Sequence, residues 1–144
     1  MPTRIEHSFT TAFSPKRCWE IYISPRHDWD KLLGDTRWLS GEPFQVGSIA
    51  ESDVTGFGAT YQRRVIGVTP GREIGWINHG IAMTGEQWIT FTPLADGGTR
   101  VETWNDVYGK LETFDGLPAM VGLKKLYLAW LAQFQAECDR HASK

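Results

Sequence analysis

The chain has little of what marks a reactive or membrane-anchored protein. Cysteine occurs twice in 144 residues, at Cys18 and Cys138, and the pair matches no metal-binding spacing. The four histidines, His7, His27, His79 and His141, are scattered, without an HxH pair. A metal needs three or four converging ligands, so no metal centre is expected. No Ser/His/Asp order and no glycine-rich phosphate loop stands out. Gly56-Phe57-Gly58 is too short and does not lead into a helix. No cofactor is therefore expected. A net charge of −2 argues against general nucleic-acid binding. The uncharged run Leu126–Ala136 falls short of the roughly 20 apolar residues that span a bilayer. Met1–Thr11 has no apolar stretch behind basic residues, as a secretion signal would. These absences read as a cytosolic protein whose cysteines are two free thiols in helices. The alternative for them is a disulfide joining the first and last helices. No repeat, low-complexity tract or linker divides the chain, so residues 1–144 read as one domain, long enough for a real core.

What the sequence does have is tryptophan, seven residues of it, and one long apolar helix. The spacing predicts that helix over Leu117–Ala142. Met120, Leu123, Tyr127, Trp130, Leu131, Phe134 and Cys138 share one side on a 3.6-residue period. Ala129, Ala132, Ala136, Lys125 and Gln133 share the other. Almost the whole helix is expected to be buried, against something large and apolar. Asp115 or Gly116 suits the cap, and Pro118 suits the first turn.

Earlier in the chain, Arg4–Phe13 reads as a strand. Ser14-Pro15 then opens a short helix, and Ser24-Pro25 opens a second over Pro25–Leu33, ended by Gly34-Asp35. Six strands follow, at Arg37–Glu42, Ser48–Val54, Ala59–Val68, Arg72–His79, Met83–Leu94 and Thr99–Tyr108. Pro70-Gly71 and Asp96-Gly97-Gly98 are hairpin turns. Turns fix register. The last hairpin should set Phe91 against Val101, Ile89 against Thr103 and Gln87 against Asn105. On its other face Trp88 meets Trp104, Thr90 meets Glu102 and Glu86 meets Asp106. Val65 should meet Trp76, and Arg63 should meet Asn78, with Trp76 beside Gln87 and Ile74 beside Ile89. One sheet face is thus apolar and meets the long helix. The other carries Arg64, Glu73, Glu86, Arg100, Glu102 and Asp106 and faces water.

The order is strand, two short helices, six antiparallel strands and a long final helix. It resembles the helix-grip fold of the START and birch-pollen-allergen superfamily, often labelled SRPBCC. Within it the chain looks similar to the polyketide cyclase/dehydrase-like and Hsp90-activator-like group. The features that carry the resemblance are the Ser14-Pro15 helix start, Trp29 in the second helix, the Asp96–Arg100 stretch DGGTR and the long terminal helix. The resemblance implies an α+β fold: a seven-stranded curved antiparallel sheet wrapped around the C-terminal helix, with a cavity between them. It implies no universal catalytic motif.

On the inward face, Tyr61, Arg63, Asn78, Gln87 and Asn105 stand among Val65 and Trp76. Each polar group left unsatisfied in a dry core costs about 1–3 kcal/mol. A cavity holding water or a polar-headed ligand relieves that cost, as would mutual pairing or access to the sheet's rim. Trp29, Trp38, Trp76, Tyr127 and Phe134 would supply stacking surface, with Met120, Lys124 and Leu131 on the helix side. Arg63 suits a carboxylate or phenolate, or else a salt bridge to Glu51 or Asp53. Lys124 either enters the cavity mouth or snorkels to solvent. His27, beside Asp28 and Asp30, is either an acid/base pair or a solvated helix residue. Trp88 and Trp104 form a cross-strand pair on the wet face, which either stiffens the sheet or serves as a homodimer or partner surface. Three functions compete: binding of a hydrophobic or aromatic small molecule such as a lipid or polyketide-like compound, a cyclase or dehydratase activity, and a protein-interaction role.

Overall fold

The computed structural model describes residues 3–24, 33–54, 59–79, 83–109 and 116–142, with side chains for 4–24, 36–52, 62–78, 85–108 and 128–141. Among the described residues seven strands are present: β1 (Thr3–Thr11), β2 (Leu33–Ser40), β3 (Ile49–Val54), β4 (Ala59–Thr69), β5 (Glu73–His79), β6 (Met83–Pro93) and β7 (Thr99–Gly109). Helix α1 (Pro15–Tyr22) follows β1, and α2 (Gly116–Ala142) closes the chain. Ser14 caps α1 as its residue type predicts, its hydroxyl accepting from Arg17 N at 3.4 Å. Pro15 occupies the first turn. The expected second short helix, Pro25–Leu33, falls almost wholly outside the described residues. Its last residue, Leu33, opens β2, which therefore starts four residues before the expected Arg37. Gly34-Asp35, read as a stop, lie inside that strand at an irregularity in its pairing with β3. An edge strand tolerates such a break because only one side of its ladder is used.

The sheet is antiparallel in the order β1-β7-β6-β5-β4-β3-β2. Every side-by-side pair expected from the turns is present, including Phe91 with Val101, Gln87 with Asn105, Trp88 with Trp104 and Val65 with Trp76. The route to the last pair is less direct than a tight Pro70-Gly71 hairpin. Thr69 pairs with Glu73, and a shift between Val65 and Gly67 then restores the expected alignment. That bulge lets Val65 and Val68 both pair with buried residues, Trp76 and Ile74. Gly71 and Gly97 take positive φ, 77° and 90°, in the two turns.

The curved sheet packs its inner face on α1 and on the second half of α2. Phe9, Val65, Ile74, Trp76, Ile89, Phe91 and Val101 meet Cys18, Trp19, Tyr22, Leu131, Phe134 and Cys138 in one buried cluster. The expectation that nearly all of α2 is buried needs correction. Leu131, Phe134 and Cys138 are buried, but Leu128, Ala129, Ala132 and Ala136 are exposed. Along the described side chains 128–141 the sheet covers one side of the helix, and the alanines occupy the other. No helix among the described residues is long and apolar enough to cross a membrane.

The outer face also departs from expectation at one point. Asp106 is buried there rather than wet, because Arg4 lies over it with Nε and a terminal nitrogen 2.6 and 2.8 Å from its two oxygens. The aromatic pair on this face has a bed. A Cβ built on Gly75 would lie 2.5 Å from the Trp88 ring, and one on Gly67 2.6 Å. Trp88 therefore lies flat across two glycines, stacks on Trp104 at 6.4 Å, and donates its indole N–H to Glu86 at 3.1 Å. The missing side chains make the room that the ring fills.

Candidate functional site

The inner face divides into a packed aromatic half and a polar half. In the first, Phe134 of α2 meets Phe9, Phe91, Tyr22 and Trp130 at 6.0–6.2 Å, ring to ring. Tyr22, the last residue of α1, is the hub. Its hydroxyl accepts the Trp76 indole N–H at 2.9 Å in a buried bond, and its ring also touches Phe44. Phe44 sits in the loop between β2 and β3 with φ 61°, a left-handed conformation that costs a bulky residue roughly 1–2 kcal/mol. Its ring contacts with Trp38 at 5.0 Å and Trp76 at 6.1 Å offset that cost. Tyr22, Phe44, Trp38 and Trp76 thus form a wall.

The polar half continues from Trp76. The Arg63 guanidinium lies 4.2 Å from the Trp76 ring centroid, a cation–π contact. Arg63 pairs with Asn78 across β4 and β5, Asn78 with Gly85, and Gln87 with Asn105. The four polar side chains are half-buried, so open space reaches them even on the sheet's inner face. The Asn105 Oδ1 and His7 Nε2 atoms are buried with no hydrogen-bond partner among the described residues. His7 adjoins this region on β1, paired with Thr103. The proposed salt bridge from Arg63 to Glu51 does not form. Glu51 instead accepts from Arg37 at 2.8 Å and from Gln62 at 3.0 Å. It alternates with the buried Ala50 and Ser52, which places it on the other face.

Of the residues singled out from the sequence, Trp38, Arg63, Trp76, Asn78, Gln87, Asn105, Leu131 and Phe134 all face the inner side. Trp29 and His27 lie outside the described residues. Tyr61, Met120, Lys124 and Tyr127 belong to β4 and α2, but their side chains lie outside the described ones, as does that of Asp53. Tyr22, Phe44, Trp130 and His7 join the region without having been singled out. Tyr22 was signalled by its i,i+3 spacing from Trp19, and Phe44 by being the one aromatic ring in a polar turn.

Cys18 and Cys138 are free and fully buried, where α1 meets α2. The Cys138 thiol is held well above its ordinary range, first by its hydrogen bond with Cys18 and then by burial. No group of three or more metal-ligating side chains occurs among the described residues.

No family model and no curated protein matches the chain. Solved structures do, over nearly its whole length. The Zhui aromatase/cyclase from Streptomyces sp. R1128 superposes with a TM-score of 0.77 at 17% identity, over 97% of this chain and 95% of that one. Ara h 8.0201 gives 0.74 at 12% identity, covering 96% and 98%. Protein MLL2253 from Mesorhizobium loti gives 0.76 at 15%, covering 96% and 98%. At these identities the likeness is one of fold.

Proposed function

We propose that this chain, which has the helix-grip fold of the START and birch-pollen-allergen superfamily, acts as a single domain that binds a hydrophobic or aromatic small molecule between sheet and C-terminal helix. The observation that carries the reading is the half-buried polar row, Arg63, Asn78, Gln87 and Asn105, beside an aromatic wall. A wall of rings takes an apolar body, and a few convergent polar groups orient its end. Trp38, half-buried, supplies the open part of the wall with the buried Trp76 behind it, and Arg63, steadied on Trp76, reaches the polar end. A lipid or a polyketide-like ring system fits this description. The test is native mass spectrometry of the purified protein, with calorimetric titration of an apolar aromatic probe. Saturable one-site binding that weakens when Trp38 is changed to Ala is expected. Absence of any saturable binding would refute the reading.

A cyclase or dehydratase reaction in the same hollow is the second reading, and one observation favours it. His7 Nε2 is buried and unpartnered on the inner face, where an imidazole serves as general base. Turnover of a polyketide-like substrate that survives His7→Gln unchanged would remove it. The protein-interaction reading loses its main support, since the glycine bed accounts for Trp88 within the sheet itself.

A further inference from the structure

We infer that Asn78, Gly85 and Asn105 form an acceptor clip that selects ligands ending in a hydroxyl group. The inference rests on the pocket reading above and names the chemistry of its polar end. Gly85 lies on β6 between Asn78 of β5 and the inner face of β7. A Cβ placed on it would stand 2.6 Å from Asn78 Oδ1 and 3.2 Å from Asn105 Oδ1. Two carboxamide oxygens therefore converge over Gly85, an inner-face position that has no side chain. Gly85 is what permits the convergence, because any Cβ would push both oxygens away. Asn105 Oδ1 is buried and has no partner among the described residues, so its lone pairs call for a donor.

The neighbouring charge decides which donor. Arg63 pairs directly with Asn78 on the adjoining strand, and its guanidinium is permanently positive. An ammonium group is repelled by it. A carboxylate suits Arg63 but sets its oxygens against two carbonyl oxygens. A hydroxyl donates to Asn105 and sets no charge against either the carboxamide oxygens or the guanidinium. Of the two partners that suit Arg63 from sequence, carboxylate and phenolic oxygen, the clip selects the second.

The test compares 2-naphthol, 2-fluoronaphthalene and 2-naphthoate by isothermal titration calorimetry at pH 7. These probes share one apolar body and differ in the end group. Naphthol is expected to bind at least about 10-fold more tightly than either of the others, as one buried acceptor gaining its donor implies. Asn105→Leu and Gly85→Ala should each bring naphthol and fluoronaphthalene to within about 2-fold of one another. Asn105→Leu should not lower the thermal midpoint, because it removes a buried acceptor that has no partner. That readout separates loss of the clip from loss of the fold. Equal affinity of naphthol and fluoronaphthalene for the parent, or a preference for naphthoate, overturns the clip and leaves the pocket standing. Failure of all three to bind overturns the pocket and the clip together.

Discussion

Changing Tyr22 to Phe tests whether one buried hydrogen bond holds the aromatic wall. The Trp76 side chain is 1% exposed and Tyr22 5%, so water cannot replace the lost hydroxyl. The substitution keeps the ring of Tyr22 and removes the acceptor of the 2.9 Å bond from Trp76 Nε1. It leaves an indole N–H buried and unsatisfied, at a cost of about 1–3 kcal/mol. In a chain of this size each kcal/mol lowers the thermal midpoint by about 2–4 °C. Urea unfolding followed by tryptophan fluorescence should show the midpoint falling while the slope stays constant. A double-mutant cycle with Trp76→Phe should return a coupling of about 0.5–3 kcal/mol, because the two changes remove opposite ends of one interaction. A loss below about 0.5 kcal/mol, the level of an ordinary surface change, would refute the reasoning. It would mean that ring packing alone positions Trp76 and the hydroxyl contributes nothing.

On the outer face, Gly75→Ala drives a methyl into the Trp88 ring and should cost about 1–3 kcal/mol by denaturant titration. The same change in a Trp88→Ala background should be nearly neutral, and an equal cost in both backgrounds would refute the glycine bed. Asp106 is held below the ordinary carboxylate range by its hydrogen bonds from Arg4. Its contribution to stability is present above the unfolded carboxylate pKa of about 3.9 and is lost as pH falls through the lower folded value. Asp106→Asn should therefore flatten the fall in stability below about pH 4, and an unchanged acid limb in urea titrations would count against the pair. Cys138, buried and raised, should react with an aromatic disulfide reagent only as fast as the protein opens. Rapid labelling under native conditions would contradict its burial.

Much of the sheet was legible because antiparallel register follows from turn position and a period of two. Asp96-Gly97-Gly98 sufficed to place Phe91 on Val101 and Trp88 on Trp104. That in turn sorted Gln87 and Asn105 onto the inner face, as Pro70-Gly71 did Arg63 and Asn78. The bulge at Ile66 was not legible, since a hairpin loop of two or three residues satisfies the same dipeptide and only the pairing reveals which is used. The start of β2 was misjudged for a related reason. Gly34-Asp35 are breakers by local propensity, but the pairing of Leu33 and Thr36 with β3 carries the strand across them.

Local pattern thus determined the seven strands and the two described helices, their order, the strand partners and the side of the sheet on which the paired residues stand. All of these depend on neighbours close in sequence or on adjacent strands. The tertiary structure alone decided that Tyr22 receives the Trp76 N–H, that Arg63 lies on Trp76 rather than on Glu51, and that two asparagine oxygens meet over Gly85. Those contacts join side chains by their rotamers and by the curvature of the sheet, and neither is encoded in a period or a turn.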